Sequence, residues 1–188
     1  MLLPHMTIIQ RAARNVSAAA LSLLALASCA AQEDLASYPC PAVLPVRDAS
    51  YMTKFEGQSQ DLSDTLFEAK VDSILPAANC IYRNDEGKRS IVYDIRVQFL
   101  AQRGPKEREG AAKFEYFVAV TGSGGTPLAR SVFPTEIPFE NNATQAIVVE
   151  EVQPTIPLKE GENGDWYRIY VGFMLTEQEL AYNRKNPR

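Results

Sequence analysis

From about residue 65 onward, apolar and polar side chains alternate along the chain with a period of two. Ile91, Tyr93, Ile95, Val97 and Phe99 interleave with Val92, Asp94, Arg96 and Gln98. Phe114, Tyr116, Val118 and Val120 repeat the pattern, as do Tyr167, Ile169, Val171, Phe173 and Leu175. Successive strand residues point to opposite faces, so this alternation predicts strands with one face on a core and the other toward water. Less regular strands are predicted over Phe67–Val71, Asn79–Tyr82, Leu128–Phe133 and Ile147–Val152.

Turn residues separate these segments. Asn84-Asp85-Glu86-Gly87 predicts a hairpin, Gly122-Ser123-Gly124-Gly125 a flexible turn, and Glu160-Gly161-Glu162-Asn163-Gly164 a further loop. About seven short strands with such punctuation predict an all-β sandwich of the immunoglobulin or fibronectin sort, with a small closed barrel as the alternative. Thr176 followed by Glu179 and the apolar Leu180 predicts a capping box opening a short C-terminal helix. Gln102–Ala111 is a charged connection and is expected to be solvated and mobile.

The first 61 residues lack the strand period. Pro39, Pro41 and Pro45 surround Cys40, and Gly57-Gln58-Ser59-Gln60 is a polar break. Residues 29–61 are therefore expected to be a spacer, and residues 62–188 the folded domain. Upstream, Arg11 and Arg14 precede the apolar run Ala18–Ala27. That run is too short to span a ~30 Å hydrocarbon core and has the layout of a cleaved signal peptide, residues 1–28.

The run ends in Leu26-Ala27-Ser28-Cys29, which resembles the lipobox of bacterial lipoproteins. The resemblance implies diacylglyceryl transfer to Cys29, cleavage before it, and acylation of the new N-terminus. Two or more acyl chains hold a protein stably on a membrane where one does not. Ala30 follows the cysteine in place of the aspartate that retains such proteins at the inner membrane. The resemblance thus implies an outer-membrane lipoprotein facing the periplasm, and the downstream domain resembles those of small Gram-negative envelope lipoproteins. The alternative is an ordinary signal peptide cut after Ala25-Leu26-Ala27, which would leave Cys29 as an exposed thiol.

With Cys29 lipidated, Cys40 and Cys80 remain, and in an oxidising compartment a pair reads as a disulfide. The closed loop of about 40 residues would contribute about 3–4 kcal/mol in the chain-entropy picture. Two unpaired thiols are the plainer alternative.

Charge and composition then narrow function. Loss of Arg11 and Arg14 takes the net charge from −4 to −6. An acidic chain without a basic stripe is a poor partner for nucleic acid or anionic lipid. The single histidine, His5, leaves with the signal peptide, which excludes a Ser–His–Asp triad, a Cys–His pair and His-ligated metal from the mature protein. No cofactor is expected.

Carboxylates are the remaining catalytic candidates: Glu68 with Asp72, or Asp94 with Glu115 if their strands pair. Glu150 and Glu151 are adjacent and point to opposite faces. Asp61 with Asp64, or Glu160, Glu162, Asn163 and Asp165, could hold calcium, although polar turns explain them more simply. The outward face of the last strand carries Trp166, Arg168, Tyr170 and Met174, residue types enriched where proteins dock. The plainer alternative is that Trp166 and Tyr170 cover one edge of the sandwich or lie beneath the C-terminal helix. The anchor, the spacer, the β-domain and the lack of a catalytic constellation lead to a non-enzymatic envelope lipoprotein that docks a protein partner. A glycan- or small-ligand-binding module using Trp166 and Tyr170 is the alternative, and a carboxylate hydrolase ranks third.

Overall fold

A computed structural model describes residues 38–57 and 59–188. The expected signal peptide, residues 1–28, and the lipobox-like Leu26–Cys29 lie outside the described residues. Eleven strands occur among them: β1 (Ala42–Pro45), β2 (Tyr51–Phe55), β3 (Thr65–Pro76), β4 (Ile81–Asp85), β5 (Lys88–Val92), β6 (Ile95–Arg103), β7 (Ala111–Thr121), β8 (Pro127–Pro138), β9 (Gln145–Val152), β10 (Thr155–Leu158) and β11 (Arg168–Phe173). One α-helix, α1 (Glu177–Lys185), follows.

The architecture is an all-β sandwich. One four-stranded sheet has the order β1-β11-β7-β8 and the other β2-β3-β6-β9, with a three-stranded sheet β10-β5-β4 beside them. The alternating residues meet between the two larger sheets. Phe99 of β6 packs 4.8 Å from Tyr116 and 5.5 Å from Phe173 between ring centroids, and Phe114 lies 5.0 Å from Phe173. Ile95, Val97, Ile169 and Val171 complete a core that excludes water. Burial of such side chains, about 1.5–3 kcal/mol each, is what opposes the entropy of ordering the chain.

Of the stretch expected as a spacer, residues 29–61, the part from Tyr38 is corrected by this arrangement. From Tyr38 the chain belongs to the same compact unit as the rest. β1 runs parallel to β11, with Val43 opposite Ile169, and β2 joins β3 with Met52 facing the core. β1 is four residues that follow Pro41 and end in Pro45, and in β2 the buried Met52 is followed by the buried polar Thr53, too little for a period of two to register. Cys40 and Cys80 are joined in a disulfide.

The continuous strand expected over Ile91–Phe99 is two. Tyr93 donates its N–H to the Pro154 carbonyl and Asp94 accepts from the Ala77 N–H, and there the chain crosses from the small sheet into the large one. The connection expected to be mobile is also tied down. The Gly104 and Lys106 N–H groups donate to Leu66 and Thr65 carbonyls, and Glu107 is buried. Glu107 accepts from Arg103 Nε at 2.7 Å and from the Gly110 N–H at 2.7 Å. Burial alone would push its carboxyl up, but Gly110 and Arg103 outweigh that and hold it below the ordinary range.

α1 carries the complete capping box, with Thr176 accepting from the Glu179 N–H and Glu179 from the Thr176 N–H. The helix lies along β2, where Phe55 meets Tyr182 edge-on at 5.1 Å and Lys54 pairs with Glu179 at 2.9 Å.

Candidate functional site

The outward side of the β1-β11-β7-β8 sheet holds the candidate site. On β11, Ile169, Val171 and Phe173 are buried, so Arg168 and Tyr170 point outward. Leu44 stands beside Tyr170, Ala119 follows it, and Arg130 follows Ala119. The next row is Gly172, Phe117 and Val132.

Gly172 makes this row possible. A Cβ there would lie 3.1 Å from Phe117 Cε1, and its absence lets the ring lie across the strand. Arg130 Cζ lies over that ring, 4.6 Å from its centroid, and its Nη2 contacts the Met174 sulfur. Leu128 and Val132, on the same strand as Arg130, are 55% and 43% exposed, and Leu44, across the sheet beside Tyr170, is 42% exposed. This part of the face is therefore apolar around Arg130, while Lys113, Glu115 and Glu136 make its far end charged.

The face continues into a groove of about 470 Å³ where Val46, Ala49, Phe117, Leu175 and Leu180 form the apolar wall. Arg47, Arg130 and Arg184 stand around it, with Arg184 bonded to Asp48 at 3.0 Å. A second cleft, of about 550 Å³, lies on the other side of Met174 and is lined by Lys54, Lys113, Glu115 and Glu136.

The four residues singled out from the sequence divide. Tyr170 and Met174 belong to the Phe117–Arg130 face. Met174 lies just beyond β11, its N–H donated to the Glu115 carbonyl. Trp166 precedes the strand on a 3-10 turn, Gly164–Trp166, and is 47% exposed. Arg168 folds back, its Nη1 donating to the Asp165 and Tyr167 carbonyls. Phe117, Arg130 and Val132 were not singled out, although Phe117 occupies the polar phase of β7.

The carboxylate pairs do not assemble. Glu115 is on β7, whereas Asp94 precedes β6 of the opposite sheet and accepts from Gln153, so their strands do not pair. Glu68 pairs with Arg188, and Asp72, at a bulge of β3, pairs with Lys70 at 2.6 Å. Glu150 points inward and accepts from the Thr135 hydroxyl at 3.3 Å, while Glu151 is exposed.

The candidate calcium loops are occupied by local bonds. Asp61 caps a turn by accepting from the Ser63 N–H and hydroxyl, bonds that hold its carboxyl below the ordinary range. Asn163 caps the next turn at Asp165, and Glu162 accepts from the Lys159 N–H and the Tyr167 hydroxyl. Burial, and then Glu162, pushes the Tyr167 phenol up to about 12. Among the described residues no three His, Cys, Asp or Glu side chains converge on a metal-sized site, and no helix is long and apolar enough to cross a membrane.

No protein-family profile, curated protein or solved structure matches the chain.

Proposed function

We propose that this chain is a lipid-anchored protein of the bacterial envelope that docks a protein partner through the outward face of the β1-β11-β7-β8 sheet and catalyses no reaction. The observation that carries the reading is Arg130 stacked on Phe117 beside exposed Leu128 and Val132, on a sheet face that also exposes Leu44. An arginine already held flat loses little freedom when covered, and aromatic–arginine clusters dominate the energetics of interfaces. On the opposite outward face Glu68, Lys70, Asp72 and Gln98 are bonded to one another or to Arg188, and the exposed apolar residues Ile147 and Val149 lie at its β9 margin without an arginine stacked among them.

The Leu26–Cys29 motif supports the anchor. Cys29→Ala is expected to abolish acyl labelling and leave the precursor uncleaved; unchanged size and membrane attachment would refute it. For the docking face, the wild-type chain and the Arg130→Glu variant are purified from detergent-solubilised envelopes. The reading requires one co-purifying protein with wild type and its loss with the variant. A set of co-purifying proteins that the variant leaves unchanged would contradict it.

A glycan- or ligand-binding role is the second reading, and the half-exposed Trp166 favours it. Titration with cell-wall fragments would then change the emission of this sole tryptophan, and constant emission across the panel would count against the reading.

A further inference from the structure

A strand at the margin of a sheet carries unpaired N–H and C=O groups that can accept another strand, and proteins normally blunt such margins. Five of the six margins in this sandwich are short, proline-bearing, charged or covered. β1 has four residues and ends at Pro45. β8 contains Pro127, Pro134 and Pro138, and β10 contains Pro157. β4 is short and carries Arg83 and Asp85. β2 is covered by α1, whose Asn183 donates to the Tyr51 carbonyl at 2.7 Å.

β9 differs. It has eight residues, QAIVVEEV, with no proline and no lysine. Every one of them pairs with β6 on one side, and among the described residues no backbone bond meets its other side. Ile147 and Val149 are 55% and 49% exposed on its outward face.

We propose that β9 pairs antiparallel with β9 of a second copy of this chain, about a two-fold axis through Val148. The strand is complementary to itself in this register. Ile147 of each copy meets Val149 of the other, so four apolar side chains form one row beside Leu100, the β6 partner of Ile147. Glu151 faces the amide of Gln145, which can donate to it, and Glu150 faces Ala146. No carboxylate faces another carboxylate, the arrangement that would oppose pairing. A two-fold centred on Glu150 or Glu151 would bring like charges together. The result is a continuous eight-stranded sheet, and the Phe117–Arg130 face of each copy, on the other sheet, stays free. This inference is independent of the docking role.

The test uses the full chain carrying Cys29→Ser in detergent. At the two-fold, a Val148→Cys pair would be directly opposed, at the Cα separation of about 4.5–5.5 Å that a disulfide accepts. Mild oxidation is expected to convert Val148→Cys to a covalent dimer while Ser131→Cys, on the margin of the other sheet, stays monomeric. Sedimentation of the parent should give twice the chain mass, and Ile147→Lys with Val149→Lys should return one chain mass with an unchanged circular dichroism spectrum. A monomeric parent, a dimer that survives the lysine pair, or linkage at 148 no faster than at 131 would overturn the proposal. In the first case β9 would be left for an extended segment of another protein.

Discussion

The Arg130 guanidinium lies over the Phe117 ring, 4.6 Å from its centroid, and the two residues come from neighbouring strands of one sheet. A Cβ at Gly172 would come within 3.1 Å of the ring's Cε1 and Cζ, so three strands cooperate to place the ring and the cation over it. Cation–π contacts at exposed sites contribute about 0.5–1 kcal/mol. Arg130→Ala is therefore expected to lower stability by no more than about 1 kcal/mol in urea denaturation. The same substitution should weaken partner binding by about tenfold or more, as hot-spot truncations do. A large loss of stability would recast the arginine as structural.

The disulfide ties the Pro39–Pro41 segment to the start of β4. The Tyr82 hydroxyl donates to the Pro39 carbonyl at 2.6 Å and accepts from the Gly164 N–H at 2.7 Å, next to Cys40–Cys80. Cys40→Ser should change mobility on a non-reducing gel and lower stability by about 3 kcal/mol in urea denaturation. Gly164→Ala should be destabilising as well, because its Cβ would fall 2.0 Å from the Pro39 oxygen.

Glu107 sets part of the acid response. Its carboxyl is held below the ordinary range, so the folded state binds its proton less tightly than the unfolded chain does. The stabilisation is thus complete above the unfolded value of about 4.3 and is lost as pH falls through the lower folded value. Glu107→Gln should be destabilised by about 2 kcal/mol at neutral pH and should approach wild type only as pH falls through the lowered folded value of the wild-type carboxyl. Parallel loss of stability by both proteins on acidification would contradict this.

The β4–β5 hairpin turns on Glu86 and Gly87, with φ of 52° and 81°. Two positive φ angles mark a type I′ turn, which favours Asn-Gly. Glu86→Asn should relieve part of the ~1–2 kcal/mol that a left-handed conformation imposes on an ordinary residue. A raised melting temperature would show it.

The legible parts of the fold were those that repeat locally. β6, β7 and β11 announced themselves through alternation, the β4–β5 turn through Asn84–Gly87, and α1 through Thr176 and Glu179. β1 and β2 were illegible because each depends on a distant partner, β11 and β3. The crossing at Tyr93–Asp94 was hidden because alternation continues through it. Glu107 looked like one more solvated charge, since only its distance from Arg103 and Gly110 distinguishes it. The site was half legible. Tyr170 and Met174 stood out on their strand, but Arg130 gains its place from a register that only the folded sheet supplies.

The docking claim is tested most directly by photo-crosslinking in cells. A photoreactive residue at Val132, beside Phe117 on the exposed face, is placed in the otherwise unaltered chain, with Lys88 of the β4–β5 hairpin as the control position. The account predicts one discrete protein adduct from position 132, lost when Arg130→Glu is added, and none from position 88. Adducts that are identical from both positions, or no adduct from 132 while the chain is present at normal level, would contradict it.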